Sequence, residues 1–365
     1  MNVLPSPLLL LGVGGAGAAM LRGIVRSYSQ GVRALAIDTD AQAGGNGDIP
    51  FLLLGGNRLA GRGTGGQPAS ARAAFQDTPT ILDTSLDGVR TVVIVTALGG
   101  GTGGGATGEI LKHIHTLGIA TLVFATLPFA FEGAERVRTA RTAIGPIEQH
   151  ADVSVFIPLD ELVATSGTDN MRDALARGVD TLALGVTLLW RVLERPGYIQ
   201  LDAERLRTIL TGCGRAHFAT ATAQGPDRAD AVLSALSESP LLKRDESSAH
   251  VRTLLVGILA GDDLRLSEVG AVASGLSAAF GLGATLELGT VNDEETFSGR
   301  LTVVALVFDE SATTARKPAP GTTRATTRER ALARTDRFRH SDATMWNDED
   351  LDIPTFVRRH LTLDR

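Results

Sequence analysis

Residues 91–106 read TVVIVTALGGGTGGGA, and no other stretch of the sequence says more about the architecture of this chain. The first seven residues, Thr91–Ala97, are β-branched or small and apolar, a composition typical of a strand buried on both faces. Six glycines follow within residues 99–105. Glycine lets backbone amides approach an anion closely, and the helix expected next would add the free N–H groups of its first turn. The stretch therefore predicts a strand, an anion-binding loop and a helix.

Two more glycine clusters occur nearer the start of the chain. GVGGAG spans residues 12–17 at the end of an apolar run, and GRGTGG spans residues 61–66. The first cluster, with Asp38 and Asp40 roughly 20 residues further on, also fits the dinucleotide fingerprint of oxidoreductases, so that class stays open. An oxidoreductase needs no glycine run like 99–105, and the sequence has no Walker A lysine motif. Three such loops at the ends of parallel strands predict a phosphate site.

The composition argues against several other classes of protein. The net charge of -6 is opposite to that of a nucleic-acid binder. A single cysteine, Cys213, allows no disulfide within the chain and suits a cytoplasmic protein. The apolar run that opens the chain has no basic residues before it, so we expect a buried strand rather than a signal peptide. No apolar run is long enough to span a membrane, and no metal-ligand cluster is predicted.

Apolar runs alternate with helical patterns in the first half of the chain and predict a doubly wound parallel α/β domain. The predicted strands are Leu8–Val13, Val32–Ile37, Thr91–Ala97, Ala120–Ala125 and Val153–Ile157. A long helix over Asn170–Glu194 follows, and beyond it mixed elements predict a smaller α+β domain. Its predicted helices are 203–212, 226–237 and Leu266–Phe280, and its predicted strands are Val251–Leu259, Ala284–Leu288 and Leu301–Phe308.

Shifts in composition divide the chain into five segments. We predict a nucleotide-binding α/β domain over 1–169, a central core helix over 170–197 and an α+β C-terminal domain over 198–312. Residues 313–347 are rich in Thr, Ala, Pro and Arg and poor in aliphatic clusters. Such a segment cannot bury enough apolar area to offset its ordering entropy, so we expect a disordered linker. Residues 348–365 become apolar again and predict a partner-binding peptide.

Several motifs, in order along the chain, resemble those of the tubulin/FtsZ family. GGGTGGG at 99–105 is similar to the family signature GGGTGTG, and the resemblance covers about residues 7–310 and the tail. The other matching segments are GVGGAG (12–17), AIDTDAQ (36–42), PFAFEGAERVRTA (128–140), ERPGYIQLDAERLRTIL (194–210), SESPLLK (237–243), residues 260–269 and DLDIPTFVRRH (350–360).

This resemblance implies a cytoskeletal GTPase that acts at the bacterial division site. The protein would bind GTP or GDP, and a bound Mg²⁺ ion is possible. It implies head-to-tail filaments in which one subunit binds the nucleotide and the next supplies carboxylates that polarise the attacking water. Head-to-tail contacts are heterologous and open, which is how a filament arises. The family's nucleotide contacts fall on Gly14, Gly15, Gly17, Gly65, Gly99, Gly100, Gly101, Thr102, Gly103, Thr126, Glu132, Arg136 and, one position displaced, Asp180.

The chain departs from the family pattern at the base and at the catalytic loop. Leu159, Leu175 and Val179 stand where the family has base-reading residues, so specificity for guanine is open. In the catalytic loop Asp202 is kept, but Arg205 replaces the second carboxylate, with Glu204 beside it. An arginine cannot take a proton from water. Two functions therefore stay open: a cytoskeletal GTPase of cell division, and a non-hydrolysing structural or regulatory filament protein with relaxed base specificity.

The tail carries an apolar set behind three acidic residues and ahead of two arginines. Leu351, Ile353, Phe356 and Val357 form the set, and the charge order suits a short helix entered at Pro354. The resemblance implies that Asp350–Arg359 docks onto a membrane tether and division regulators. A flexible linker would let the tail reach such a partner from the filament.

Overall fold

The computed structural model describes most of the chain up to residue 309 and a short part of the tail. The described residues are 8–28, 32–45, 47–164, 170, 173, 176, 178–186, 197–201, 208–211, 213–242, 251–280, 284–309, 345–346 and 349–350. The chain divides into two compact units, Met1–Lys317 and Pro318–Arg365. All elements up to residue 309 belong to the first unit.

The first half of that unit is built on six parallel strands. Their order across the sheet is β3-β2-β1-β4-β5-β6, with every neighbouring pair parallel. The order reverses between β1 and β4, which makes the carboxyl ends of these two strands the expected ligand position. The strands are β1 (Leu8–Val13), β2 (Arg33–Asp38), β3 (Phe51–Leu53), β4 (Thr91–Ala97), β5 (Ala120–Leu127) and β6 (Val153–Pro158).

Helices follow the strands in the alternation that the sequence predicts. Two helices carry glycine clusters: α1 begins directly after β1, and α5 begins after the short turn 98–100 that follows β4. The helices of this half are α1 (Gly14–Tyr28), α2 (Gly56–Leu59), α3 (Pro68–Asp77), α4 (Asp83–Leu86), α5 (Gly101–Thr116), α6 (Ala134–His150) and α7 (Leu159–Ala164).

Alternate residues of β1 enter two different hydrophobic cores. Leu8 and Leu10 pack in one core, whereas Leu9, Leu11 and Val13 pack in the other. All are nearly inaccessible to solvent. Helices therefore cover both faces of the sheet, which is why the strand reads as a continuous apolar run rather than an alternating one.

The sheet continues into the second half of the unit through β7. Val153 of β6 pairs in parallel with Gly214 of β7, and the ten strands follow the order β3-β2-β1-β4-β5-β6-β7-β10-β8-β9. The β10 strand is antiparallel to both of its neighbours, while β8 and β9 are parallel. The elements are β7 (Gly214–Gln224), α8 (Arg228–Glu238), β8 (Val251–Ala260), α9 (Leu266–Phe280), β9 (Thr285–Asn292), α10 (Glu294–Phe297) and β10 (Arg300–Asp309).

The predicted fold class is confirmed, but two strands of the ten-stranded sheet were not predicted. The short β3 follows a glycine-rich stretch, and β7 consists mainly of alanine, threonine and polar residues rather than aliphatic ones. Its side chains contribute to the core because both neighbours of β7 are rich in apolar residues. The boundaries predicted at 169, 197 and 312 remain predictions, since one sheet runs across the first two.

The described part of the predicted long helix comprises residues 170, 173, 176 and 178–186, and all of these except Asn170 are helical. Gly185 lies against the aromatic pair Phe124 and Phe218, whose ring centroids are 5.2 Å apart. A Cβ at Gly185 would come within 2.6 Å of the Phe218 ring. Leu182, Val186 and both phenylalanines belong to the core that also contains Leu8, so this helix, β5 and β7 pack in one continuous core.

In the second compact unit the structure describes two short antiparallel strands. Met345–Trp346 (β11) pairs with Glu349–Asp350 (β12). The tail helix predicted beyond Pro354 lies outside the described residues, as does nearly all of the predicted linker. Within the described part of the chain, no helix has the length and apolar character needed to cross a membrane.

Candidate nucleotide-binding site

A cleft of about 530 Å³ opens where the strand order reverses. It lies at the carboxyl ends of β1, β2 and β4, the edge at which an open α/β sheet binds its ligands. Its lining is Val13, Gly14, Gly15, Ala16, Asp38, Thr39, Asp40, Arg62, Gly63, Thr64, Gly65, Gly66, Ala97, Leu98, Gly100, Gly101, Thr102, Gly103, Thr126, Pro128, Glu132, Arg136 and Leu159.

Two helix N-termini meet at the cleft. Helix α1 begins at Gly14 and α5 begins at Gly101, so the free N–H groups of both first turns are available to a ligand. The two backbones approach closely, since a Cβ at Gly14 would lie 3.0 Å from the Gly103 nitrogen. No acidic side chain occurs in the first turn of either helix. The partial positive charge of the α5 dipole therefore remains for an anion, while at α1 the Asp38 carboxylate lies nearby, with its Oδ2 3.3 Å from where a Cβ at Gly15 would be.

Buried hydroxyl groups hold the loops around the two helix starts. The Thr39 hydroxyl lies 2.8 Å from that of Thr102, joining the end of β2 to the start of α5. The Thr96 hydroxyl donates to the Val13 carbonyl at 3.1 Å, joining β4 to β1. All four residues are buried. The cleft is thus held in shape by the protein's own hydrogen bonds.

The third glycine cluster, residues 61–66, lies against the other two. The Gly63 amide donates to the Thr39 carbonyl at 3.1 Å, and the Ala41 amide donates to the Gly61 carbonyl at 3.0 Å. A Cβ at Gly101 would collide with the Thr64 hydroxyl and lie 3.0 Å from the Gln67 nitrogen. Loop 61–66 therefore covers the first residue of α5, and all three predicted glycine loops meet in one cleft.

The opposite side of the cleft follows β5. Here Glu132 accepts a hydrogen bond from the Phe129 amide at 3.0 Å and pairs with Arg136. Pro128 and Leu159 add apolar surface. The Asp160 carboxylate next to Leu159 accepts from the Ala130 amide at 2.9 Å. This side offers apolar contacts and a paired arginine, in contrast to the amides of the glycine loops.

Ten of the residues predicted to contact nucleotide line the cleft. They are Gly14, Gly15, Gly65, Gly100, Gly101, Thr102, Gly103, Thr126, Glu132 and Arg136.

Three others have different surroundings. A Cβ at Gly17 would lie 2.6 Å from the Val95 carbonyl, so this glycine lets α1 pack on β4. Gly99 has a φ of +95° and supports the turn between β4 and α5, close to the Arg136 carbonyl. Asp180 is exposed in the helical segment 178–186.

The residues at which the chain departs from the family pattern are only partly described. Leu159 lines the cleft, and Val179 packs against α1, where a Cβ at Gly23 would lie 2.6 Å from it. Leu175, Asp202, Glu204 and Arg205 lie outside the described residues.

The segment that leads to Asp202 is held by Thr290 of β9, which accepts from the Gly197 amide at 2.8 Å and donates to the Ile199 carbonyl at 2.9 Å. The Thr290 hydroxyl also accepts from the Ile199 amide at 2.9 Å.

Sequence reasoning missed three polar side chains of the cleft. Thr39 and Thr64 belong to segments noted for their aspartates or glycines, and their contacts are between loops far apart in the chain. For Arg62, the two neighbouring glycines and not its own side chain indicate the phosphate loop. A charged residue between two glycines in such a loop is the signal that could have identified it.

Comparison with known proteins agrees with this geometry. Residues 7–167 match the model of the tubulin/FtsZ family GTPase domain, and residues 214–309 match that of the FtsZ family C-terminal domain. The chain belongs to the tubulin/FtsZ family. The FtsZ family match in the second half decides against the oxidoreductase alternative, because β-strand order alone is shared with dinucleotide-binding enzymes.

Individual relatives cover most of the chain. The cell division protein FtsZ of Pseudomonas putida is 36% identical over 298 residues, which are 80% of this chain and 74% of the relative. That of Wigglesworthia glossinidia brevipalpis is 33% identical, over 81% and 78% of the two chains. Among solved structures, an empty FtsZ dimer from M. jannaschii has a TM-score of 0.77 at 25% identity, with 82% of this chain and 87% of that chain covered. The family resemblance seen in the sequence is confirmed.

Proposed function

We propose that this FtsZ-family chain is a GTP-binding cytoskeletal protein that polymerises head to tail into filaments for bacterial cell division. The observation that supports it most is the cleft in which three glycine loops and two helix N-termini converge. The family match across both halves of the chain adds the second domain on which a polymer depends. The named relatives are cell division proteins, and one related structure is a dimer.

The described residues fit a nucleotide phosphate. Amides at Gly14, Gly15 and Gly101 to Gly103 would donate to phosphate oxygens, where glycine leaves room for close approach. On the β5 side, Glu132 would accept from ribose hydroxyls, and Arg136 would donate to a ribose or phosphate oxygen. Because these two residues already pair with each other, nucleotide binding would have to rearrange that pair.

Magnesium would be held mainly by the nucleotide itself. Among the described residues no cluster of three His, Cys, Asp or Glu side chains forms a metal site. Mg²⁺ at triphosphate sites keeps several waters and takes phosphate oxygens with only one or two protein ligands, so this does not conflict with a bound Mg²⁺–nucleotide complex.

Hydrolysis would take place between subunits, with Asp202 of one subunit acting on the nucleotide of the next and Glu204 as a second carboxylate. Asp202→Ala should then leave nucleotide binding by the monomer intact and suppress phosphate release and polymer turnover. Equal losses of binding and turnover would place Asp202 in its own subunit's cleft instead. The second candidate function, a non-hydrolysing filament protein, is favoured by Arg205 and requires that the wild-type protein release no phosphate.

The proposed preference for guanine depends on the residues at which this chain differs from the family pattern. Leu159 contributes an apolar surface to the cleft where a purine ring could pack, and it supplies no side-chain hydrogen bond. The test is to denature the purified protein and identify the released nucleotide by chromatography, then to pellet polymers with each nucleoside triphosphate. Guanine nucleotides and GTP-dependent pelleting support the proposal. Protein that carries no nucleotide and pellets with none would reject it.

Outside the filament, the proposed partners are a membrane tether and division regulators that bind Asp350–Arg359, with the filament at the division site. No direct membrane insertion and no nucleic-acid partner are proposed. The apolar residues and flanking charges of this peptide support a short docking motif.

A further inference from the structure

We propose that Arg62 binds the terminal phosphate of a nucleoside triphosphate and makes the cleft prefer triphosphates over diphosphates. Arg62 lines the cleft from loop 61–66. The inference rests on the proposed nucleotide binding and adds to it a side chain that would distinguish the two nucleotide states.

The backbone at Arg62 is held on both sides. The Gly61 carbonyl accepts from the Ala41 amide at 3.0 Å, and the Gly63 amide donates to the Thr39 carbonyl at 3.1 Å. Arg62 itself donates its amide to the Leu59 carbonyl at 3.0 Å. The φ angles of Gly61 and Gly63 are +71° and +73°, a left-handed region that side chains disfavour. The chain thus uses glycine twice to present one arginine, and hydrogen bonds hold the backbone there before a ligand arrives.

The Arg62 guanidinium is available to a ligand. Arg136, the other arginine of the cleft, pairs with Glu132. For Arg62 no side-chain hydrogen bond or ion pair is found within the part of the chain that the structure describes, and the side chain is exposed. Guanidinium stays charged at any relevant pH and its fork matches two phosphate oxygens.

The arrangement of the cleft places Arg62 at the end where the last phosphate would lie. Gly101 at the start of α5 lies between the two sides of the cleft. On one side, Thr64 of loop 61–66 covers it. On the other side, the turn at Gly99 adjoins Pro128 and Arg136. Pro128 and Leu159 give the β5 side its apolar surface, which suits the sugar and base. A nucleotide with its inner phosphates on the amides of α5 would therefore extend its terminal phosphate toward loop 61–66.

The test compares Arg62→Gln with the wild type for binding of a slowly hydrolysed GTP analogue and of GDP. Measurements are made with Mg²⁺ at a protein concentration too low for polymerisation. Losing a charge-assisted hydrogen bond should weaken triphosphate binding about tenfold, while GDP binding should change by less than about twofold. The matched control is Arg58→Gln, which removes an equal charge four positions earlier from a side chain that pairs with Asp77 at 2.8 Å. It should change neither affinity.

Equal loss of affinity for both nucleotides, or no loss for either, would overturn the assignment of Arg62. If Arg62→Gln fails to fold, Arg62→Lys serves in the same comparison, because it keeps the charge but loses the fork. It should still weaken the analogue more than GDP. A wild-type protein that binds neither nucleotide would reject the proposed function itself, so the two failures are distinguishable.

Discussion

At the scale of single residues, the glycines of the signature are not equivalent. A Cβ at Gly101 would collide with Thr64, and one at Gly105 would collide with the Pro68 carbonyl. A Cβ at Gly104 would find its nearest neighbour 3.8 Å away, and one at Gly100 would find none within 4 Å. Some glycines of the run are thus required by close packing, while others leave room for a side chain.

This difference predicts opposite results for two neighbouring alanine substitutions. Gly101→Ala should weaken nucleotide binding by about tenfold, because loop 61–66 must move away from the start of α5. Gly104→Ala should leave binding unchanged and stabilise the protein by up to about 1 kcal/mol, since alanine is favoured over glycine inside a helix. Nucleotide titration and thermal unfolding of both variants check this. Equal affinity of the two variants would contradict the placement of loop 61–66.

The sequence predicts the backbone side of the cleft better than its side chains. Glycine clusters after buried strands indicate a phosphate site directly, because few other residues allow that backbone. The contact between the Thr39 and Thr102 hydroxyls depends on how β2 and β4 lie in space, and neither residue's neighbours reveal it. The exposed position of Asp180 likewise depends on helix packing that the local sequence does not contain.

At the scale of elements, a buried charge cluster joins the starts of α8 and α9. The Arg228 guanidinium donates to the Glu268 carboxylate at 2.7 and 3.0 Å, and to the Asp263 carboxylate at 2.7 Å. Arg228 is 3% exposed and Glu268 is 7% exposed. The hydrogen bond from Arg228 holds the pKa of Glu268 below its usual value, against the opposing effect of burial.

The lowered pKa of Glu268 predicts a pH-dependent contribution to stability. Glu268→Gln should cost about 3 kcal/mol at pH 7, because it leaves the Arg228 charge buried without its main partner. A carboxylate with a lowered folded-state pKa stabilises the fold above its ordinary value of 4.5 and loses that effect as pH falls through the folded value. The free energy difference between wild type and variant should therefore shrink below pH 4.5.

Urea unfolding of both proteins from pH 7 to pH 3 measures this difference. The control is Glu135→Gln, which removes a carboxylate from an exposed pair with Arg138 and should have little effect at any pH. A difference for Glu268→Gln that stays constant with pH would contradict the assignment to ionisation.

Elements differ in how well the sequence predicts them. The β1 and β4 strands are apolar on both faces and were predicted with their observed bounds. The β7 strand was missed because GRAHFATATAQ has no aliphatic run, and its small residues suit a strand only when they lie between β6 and β10. Its assignment depends on neighbours distant in sequence, which local pattern cannot supply.

At the scale of the whole molecule, one core connects the two halves of the first compact unit. Phe124 of β5 and Phe218 of β7 meet in it, together with residues of β8 and β10. Such continuity predicts one cooperative unfolding transition rather than two.

Phe218→Ala should lower the free energy of unfolding by about 3 to 5 kcal/mol and shift that single transition as a whole. Phe75→Ala is a matched variant in the core on the other face of the first six strands, and it should shift the same transition. Calorimetry of the two variants and the wild type checks this. Two separate transitions, each moved by only one variant, would show that the halves unfold independently.

The apolar residues and flanking charges of the tail support its proposed role as a docking peptide. Deleting residues 348–365 should leave nucleotide binding and filament formation in solution unchanged, while filaments lose their position at the membrane in cells. Pelleting and fluorescence microscopy of the truncated chain measure the two effects. A fall in thermal stability on truncation would instead show that the tail packs on its own core.

The packing of Gly185 against Phe218 and Phe124 also restricts which substitutions this sequence can accept during evolution. A larger residue at 185 would occupy the space of the Phe218 ring, so it becomes acceptable only after position 218 has become smaller. A smaller residue at 218 would in turn leave a cavity that only a larger one at 185 or 124 could fill. Substitutions at the three positions should therefore be correlated among descendants of this chain, although the positions lie far apart in the sequence.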